Sequence, residues 1–324
     1  MRLLTLCWLV VAATAAVSCT SAERTASYPS RPVDIVVPFP PGGGSDNLAR
    51  TIQDIVGRSR LSDQPVTVSN RSGGSGAVGL AYVASRKRDG YTLVTLNDPL
   101  VSLGVQPHYT GPTLRDLTLV AILALDEMAI VVPTRSRFQT IEEVIAFAKA
   151  NPGKLTFSTE SQGGGDHVLG ILIERATGAS FTYVHTRGGA EAMQNLVGGH
   201  VDLAGPNPSE MLSQWKGGLA RPLAVSAPGR VAIMPDVPTL KERGIEVVHR
   251  MMRGVALPGE APAEAVRYWE AALAKVAESD GWQTQYLERF ALTPYFKTGD
   301  EARAFLAKHE ALNRDALNPA TETR

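Results

Sequence analysis

Apolar residues recur along this chain in two alternating rhythms. Short apolar or β-branched runs read as buried strands at Val33–Pro38, Val66–Ser69, Tyr91–Leu96, Ala129–Val132, Lys154–Ser158, Phe181–Val184, Val201–Ala204, Pro222–Val225 and Val255–Leu257. Between and after them, helical spacing predicts helices at Asp46–Arg58, Gly76–Ser85, Ile141–Asn151, Asp166–Thr177, Ala190–Val197, Ser209–Lys216, Ala263–Ser279 and Glu301–Asn313. This alternation predicts an α/β fold with largely parallel sheets. The last two helices lie beyond the last strand and are strongly amphipathic, so they are placed to pack back on the first lobe. Pro133 and Pro258 each close an apolar run. Residues near Val131–Pro133 and Arg250–Pro258 are therefore predicted to cross between two lobes, one of 28–130 plus 250–324 and the other of 131–249.

One local pattern occurs twice. The run Val33–Val37 is broken by Pro40, Pro41, Gly42, Gly43 and Gly44, and Ser45 or Asp46 then stands at a helix N-cap position ahead of Leu48 and Ile52. Lys154–Thr159 is followed by Ser161, Gln162, Gly163, Gly164 and Gly165, with Asp166 as the cap. A strand, a glycine turn and a helix N-terminus make an anion site, because the first N–H groups of a helix lack intrahelical partners and the macrodipole is positive there. Two such turns aimed at one point would form a two-lobed cleft. Ordinary capped helices after tight turns would show the same residues.

The N-terminus reads as an export signal. Arg2 precedes an apolar run over Leu3–Val17, closed by Ala16-Val17-Ser18-Cys19. The only cysteines are Cys7 and Cys19. Cleavage before Cys19 would leave one cysteine as the first mature residue, the arrangement of an acylated lipoprotein, with 20–27 as a polar tether to the outer face of the membrane. Ala16 stands where a lipobox has Leu, and cleavage near Ala22 with release of the protein is the alternative. No later cysteine exists for a disulfide or thiol metal site. Roughly 300 residues remain, enough for two domains. Formal net charge is +0, which argues against general nucleic-acid binding.

Other chemistry competes weakly. Gly74-Ser75-Gly76-Ala77-Val78-Gly79 matches the dinucleotide pattern G-x-G-x-x-G, with Asp98 downstream at a strand end. Asn70, Arg71 and Ser72 lengthen the turn before the glycines, unlike a nicotinamide-dependent oxidoreductase. An exported hydrolase is the other enzyme alternative, but no nucleophile–base motif is present. The histidines show no metal-ligand spacing. His167 stands just inside the second glycine-turn helix, where it could face a ligand or pack locally. Arg71 and Arg187 sit beside glycines after strands and could fork to a carboxylate, although most turn arginines are solvated.

Ordered signatures along the mature chain then carry a family resemblance. They are Tyr28-Pro29-Ser30-Arg31-Pro32, Val37 through Asp46, Asn70-Arg71, Asp89-Gly90-Tyr91-Thr92-Leu93, Ala148 through Lys154, Gly198 through Asp202, Leu223 through Ser226 and Pro235 through Thr239. The chain resembles the extracytoplasmic solute receptors of tripartite tricarboxylate transporters, the Bug or TctC-like proteins. The resemblance implies a type II periplasmic-binding-protein-like fold, with two α/β lobes hinged around a small carboxylate. It also implies delivery of that ligand to membrane permease subunits, and no enzyme activity, cofactor or metal. The implied ligand-binding positions are Pro41, Gly42, Gly43, Gly44, Ser45, Asp46, Asn70, Arg71, Asn97, Ser161, Gln162, Gly163, Gly164, Gly165, His167, Thr186 and Arg187. The chain departs from the pattern at Ser161 and Gly164 in the second turn, at His185 and Thr186, and at Met252-Arg253-Gly254, where Trp-x-Gly is usual. Ligand identity does not carry over.

Overall fold

The structure is a computed structural model that describes residues 28–106 and 109–318. The expected signal, tether and acylation at Cys19 lie outside the described residues. The chain runs β1 (Val33–Val37), α1 (Gly44–Arg58), β2 (Val66–Asn70), α2 (Ala77–Ala84), β3 (Thr92–Leu96), α3 (Asp98–Leu103) and β4 (Leu117–Asp126). It continues through β5 (Ala129–Pro133), α4 (Ile141–Ala150), β6 (Leu155–Thr159), α5 (Gly165–Thr177), β7 (Phe181–His185), α6 (Gly189–Gly198), β8 (Leu203–Ala204), α7 (Pro208–Lys216) and β9 (Ala220–Val225). It returns with β10 (Met251–Pro258), α8 (Ala263–Ala277), α9 (Asp280–Trp282), β11 (Leu292–Thr298) and α10 (Gly299–Ala316).

These elements make two helix-flanked sheets, ordered β11-β4-β10-β3-β1-β2 and β7-β6-β8-β5-β9. Parallel pairing holds for β1 with β2 and β3, and for β6 with β7 and β8. The strands that carry the chain between sheets, β4, β5, β9 and β10, pair antiparallel, so both sheets are mixed. The outgoing crossover is Glu127–Met128, ahead of the expected Val131–Pro133, which lies inside β5. The return enters the first sheet at Met251.

The glycine-turn strands are where the apolar runs predict them, with Val33, Ile35, Val36 and Val37 fully buried. Sequence reading gave no strand at β4. Val120 through Leu125 are all fully buried, so a strand covered on both faces shows no alternation, and its Leu and Ala residues carry little β-branched signal. Pro294 and a register shift disguise β11, an edge strand. The terminal helices do pack on the first sheet, where Trp269 of α8 joins Leu48 and Ile52 of α1 in one core. α10 also reaches the second lobe. Ala316 packs with Val168 and Ile171 of α5, and Arg175 Nη2 donates to Ala316 O at 2.9 Å.

The dinucleotide alternative finds no support. A methyl group on Gly79 would lie 2.7 Å from Pro38 Cα and 2.9 Å from Arg71 O, so that glycine serves the close approach of α2 to neighbouring turns. Asp98, the acid that would meet a ribose, is fully buried and engaged elsewhere. Its Oδ1 accepts from Met252 N at 3.0 Å and lies 2.8 Å from His309 Nε2.

Candidate functional site

The turn after β1 is held by two side chains behind it. Asp46 accepts Gly42 N at 2.9 Å and Arg50 Nε at 2.8 Å on Oδ2, and Asn70 Nδ2 at 2.9 Å on Oδ1. Asn70 Nδ2 also donates to Phe39 O at 3.1 Å. Burial pushes the Asp46 carboxyl up, but the Arg50, Gly42 and Asn70 bonds more than offset this and hold it below its ordinary value. Asp46 and Asn70 therefore brace the turn. Gly42 takes φ +84°, which suits glycine. Pro41, Gly42 and Gly43 are exposed, while Ser45 and Asp46 are buried. Among the described residues, the N–H groups of Gly43, Gly44 and Ser45 have no hydrogen-bond acceptor. They form the free donor end of α1.

The second turn spends more of its donors internally. Gly163 N donates to His167 Nδ1 at 3.0 Å and Gly164 N to Ser161 O at 3.1 Å. Asp166 accepts Glu160 N at 2.6 Å and His167 N at 2.9 Å. Burial, reinforced by the His185 ring, lowers His167 to about 4, so it is neutral and accepts the Gly163 bond. His167 and Asp166 are thus framework for this turn, while Gly165 N is left without an acceptor among the described residues. The turn lies against the first lobe. A methyl on Gly163 would sit 3.0 Å from Ser102 Cβ, and one on Gly165 would sit 3.4 Å from Asp98 Oδ2.

Beneath the first turn lies a charge that sequence reading did not select. Arg253 is 4% exposed, and a methyl on Gly44 would come within 2.5 Å of its Nη2. Arg253 Nε donates to Asp126 Oδ2 at 3.1 Å, and Nη2 donates to the same oxygen. Burial disfavours the guanidinium, yet Asp126 holds its pKa above the ordinary value. Across the seam stand Glu160, just after β6, and Glu210, on α7. Burial and the Glu210 carboxylate push Glu160 up to about 8. Burial and Asp126 push Glu210 up to about 7. Arg253 acts on both. Burial and Glu160 also raise Asp166. Asp126 Oδ1, Glu160 Oε1, Ser45 Oγ, Asn97 Oδ1 and Ser161 Oγ are buried with no partner. Of the positions selected from the sequence, Ser45, Asn97 and Ser161 are thus among the buried polar groups without a partner, and Gly44 lies against Arg253. The signal for Arg253 was the departure at Met252-Arg253-Gly254; Asp126, Glu160 and Glu210 carried none.

Other expected side chains stand apart from this buried set. The Arg71 guanidinium lies over the Tyr82 ring, 4.3 Å from its centroid. Arg187 is 91% exposed along its side chain and pairs with Glu191 at 3.2 Å. Both are surface cations rather than buried anchors. Thr186 Oγ1 is 2.9 Å from Thr159 O and closes its own turn. Gln162 is exposed. Thr159 Oγ1 meets His185 Nδ1 at 2.7 Å, but Thr159 is fully buried, which suits a strand contact rather than a nucleophile. Among the described residues no cluster of His, Cys, Asp and Glu fits a metal ion, and no helix is long and apolar enough to cross a membrane. A cavity of about 580 Å³ lies beside the crossovers, lined by Glu127, Arg230, Arg250, Leu287 and Thr293 among others, and neither glycine turn borders it.

Comparison with known proteins follows the same lines. A family model described as the tripartite tricarboxylate transporter family receptor matches residues 48–317. A Bordetella pertussis protein, BugT, is 32% identical over 318 residues, covering 94% of this chain and 93% of BugT. A TctC solute binding protein from Polaromonas is 30% identical, covering 90% of this chain and 99% of that one, with a TM-score of 0.71. The R. palustris protein Rpa4515, solved with adipate, is 26% identical, covering 90% and 97%, with a TM-score of 0.82.

The buried carboxyls predict a stability signature. A carboxyl whose pKa is raised by folding binds its proton more tightly in the folded state. Its contribution is fully present below the unfolded value near 4.5 and is lost as pH rises toward about 8 for Glu160. The slope approaches about 1.4 kcal/mol per pH unit. Glu160→Gln removes this loss. Its melting temperature should exceed the parent's by a margin that widens from pH 5 to pH 8 in calorimetry. A margin that stays constant would mean Glu160 titrates as a solvated carboxyl.

Proposed function

Because the chain belongs to the tripartite tricarboxylate transporter receptor family, we propose that it is an extracytoplasmic solute receptor that binds a small carboxylate between its two lobes. The observation that carries this reading is the free donor end of α1 at Gly43–Ser45, with the Arg253 guanidinium against Gly44. Backbone N–H groups at a helix N-terminus fit carboxylate oxygens, and a guanidinium in a low-dielectric seam strengthens that preference. The second turn lies against the first lobe at Ser102 and Asp98, and an acid held between the lobes would touch both and favour their approach. The adipate held by the R. palustris relative is of this ligand class. Delivery to permease subunits is the transport step this reading implies, and no covalent chemistry is required of the chain.

Gly44 gives a direct test. Gly44→Ala places a methyl group against Arg253 and narrows the approach to the N–H groups. A carboxylate identified by thermal-shift screening of the parent should bind the folded variant at least about tenfold more weakly by titration calorimetry, or about 1.4 kcal/mol. Parental affinity would move the site away from this turn.

Anchoring at Cys19 is part of the same proposal. A sole mature cysteine at the end of an apolar run suits acylation, and stable attachment takes more than one acyl chain. Cys19→Ala should shift the protein from the membrane fraction to the soluble fraction, or block its processing. A variant that fractionates and migrates as the parent does would remove the anchor.

A further inference from the structure

The cavity of about 580 Å³ beside the crossovers lies on the flank of the lobe junction away from the glycine turns. The crossovers join β4 to β5 and β9 to β10. In the first sheet β1, which leads into the first turn, lies on the β10 side of these strands, and β11 lies on the other. In the second sheet β6, which leads into the second turn, lies on the β5 side, and β9 forms the opposite edge. The cavity opens between the residues that follow β9 and those that lead into β11. Ala227, Val231 and Ile233 wall it from the second lobe, and Leu287 and Leu292 from the first. Its volume is that of a small-molecule site. Its polar lining centres on Glu127, which is 2% exposed. Glu127 Oε1 accepts Thr293 Oγ1 at 2.7 Å and lies 3.7 Å from Arg250 Nη1, an ion pair too long for a hydrogen bond. Its Oε2 is buried with no partner. Arg230, also in the lining, is taken by Glu242 at 3.0 Å.

Glu127 Oε2 lacks a donor, and the Arg250 guanidinium has donors to offer. A carboxylate placed against Arg250 would be repelled by Glu127, and an ammonium placed against Glu127 would be repelled by Arg250. A carboxamide brings a donor and an acceptor without a charge. Burial pushes the Glu127 carboxyl up, with Thr293 and Arg250 offsetting part of the rise. An amide suits either form, because its N–H groups donate to the ionised carboxyl and its carbonyl accepts from the protonated one. The apolar side chains of both walls suit an apolar body. Such a ligand would touch both lobes on this flank while, on the other, the second turn lies against Ser102 and Asp98. It would stabilise that lobe arrangement and, by linkage, raise the affinity of an acid that favours the same arrangement. From this juxtaposition we infer that the cavity is a second binding site, for a small uncharged ligand with an apolar body and a carboxamide head, and that its occupant promotes acid binding between the turns. The coupling rests on the carboxylate-receptor reading; the cavity site does not.

Benzamide, benzoate and benzylamine are matched probes of one size. Titration calorimetry on the full mature chain near neutral pH should show benzamide binding at millimolar concentration or below. Ala232→Trp fills the cavity from its exposed rim and should weaken benzamide by at least about tenfold. Any binding of benzoate or benzylamine lies elsewhere and should change by less than about twofold in this variant. An acid bound by the parent should bind at least about fivefold tighter with benzamide saturating. The same acid should bind Ala232→Trp no more weakly than the parent, which also shows that the variant is folded. If the variant does not fold, a crystal structure of the parent with benzamide decides: the amide at Glu127 and the ring between the two walls supports the inference, and any other position overturns it. No benzamide binding, a benzamide affinity that survives in folded Ala232→Trp, an equal loss for a charged analogue, or acid binding that benzamide leaves unchanged or weakens also overturns it. If no carboxylate binds the parent, the receptor reading and the coupling fall together, and the benzamide measurements still decide the cavity.

Discussion

A guanidinium sealed inside a protein must keep its carboxylate, and the pair of Arg253 with Asp126 imposes that condition where the two lobes join. Asp126 ends β4, from which the chain leaves the first sheet, and Arg253 lies near the start of β10, by which it returns. Both side chains are buried. Removing one partner of such a pair typically costs about 3–5 kcal/mol, because the other charge is left uncompensated. The pair therefore ties the two crossover strands together, supports the underside of the first glycine turn at Gly44, and acts on Glu160 and Glu210 in opposite directions, Asp126 raising and Arg253 lowering their carboxyls. The proposed binding geometry and the interlobe connection share one interaction.

Neighbouring ties extend the same logic. Asp98, at the start of α3, accepts Met252 N on β10 and faces His309 on α10 and His249 on the return segment. Burial pushes its carboxyl up, but the His309 and His249 rings outweigh that and hold it well below its ordinary range. α10 then runs on to the second lobe, where Arg175 binds its last carbonyls. A hinge motion must carry α10 along or break those bonds.

The sequence exposed the parts of this arrangement that local rules describe. Glycine after a β-branched run and a polar cap before helical spacing located both turns. Family signatures then gave the fold and the receptor role. Local rules missed β4 because burial on both faces erases alternation. They favoured Arg71 and Arg187, which stand beside glycines but face solvent, over Arg253, which is far from either turn in sequence and reaches Gly44 only through sheet pairing. Likewise Glu160 and Glu210 lie far apart along the chain, and no spacing rule joins them. Asp46, Asn70 and His167 stand among the expected site residues, and their hydrogen bonds brace the turns.

A crystal structure of the protein loaded with the tightest-binding carboxylate would show directly where an acid is held. One carboxylate should lie within hydrogen-bond distance of the Gly43–Ser45 N–H groups, beside Arg253, with the ligand in contact with both lobes. A ligand seated instead in the cavity beside the crossovers, lined by Glu127 and Arg250, would contradict it.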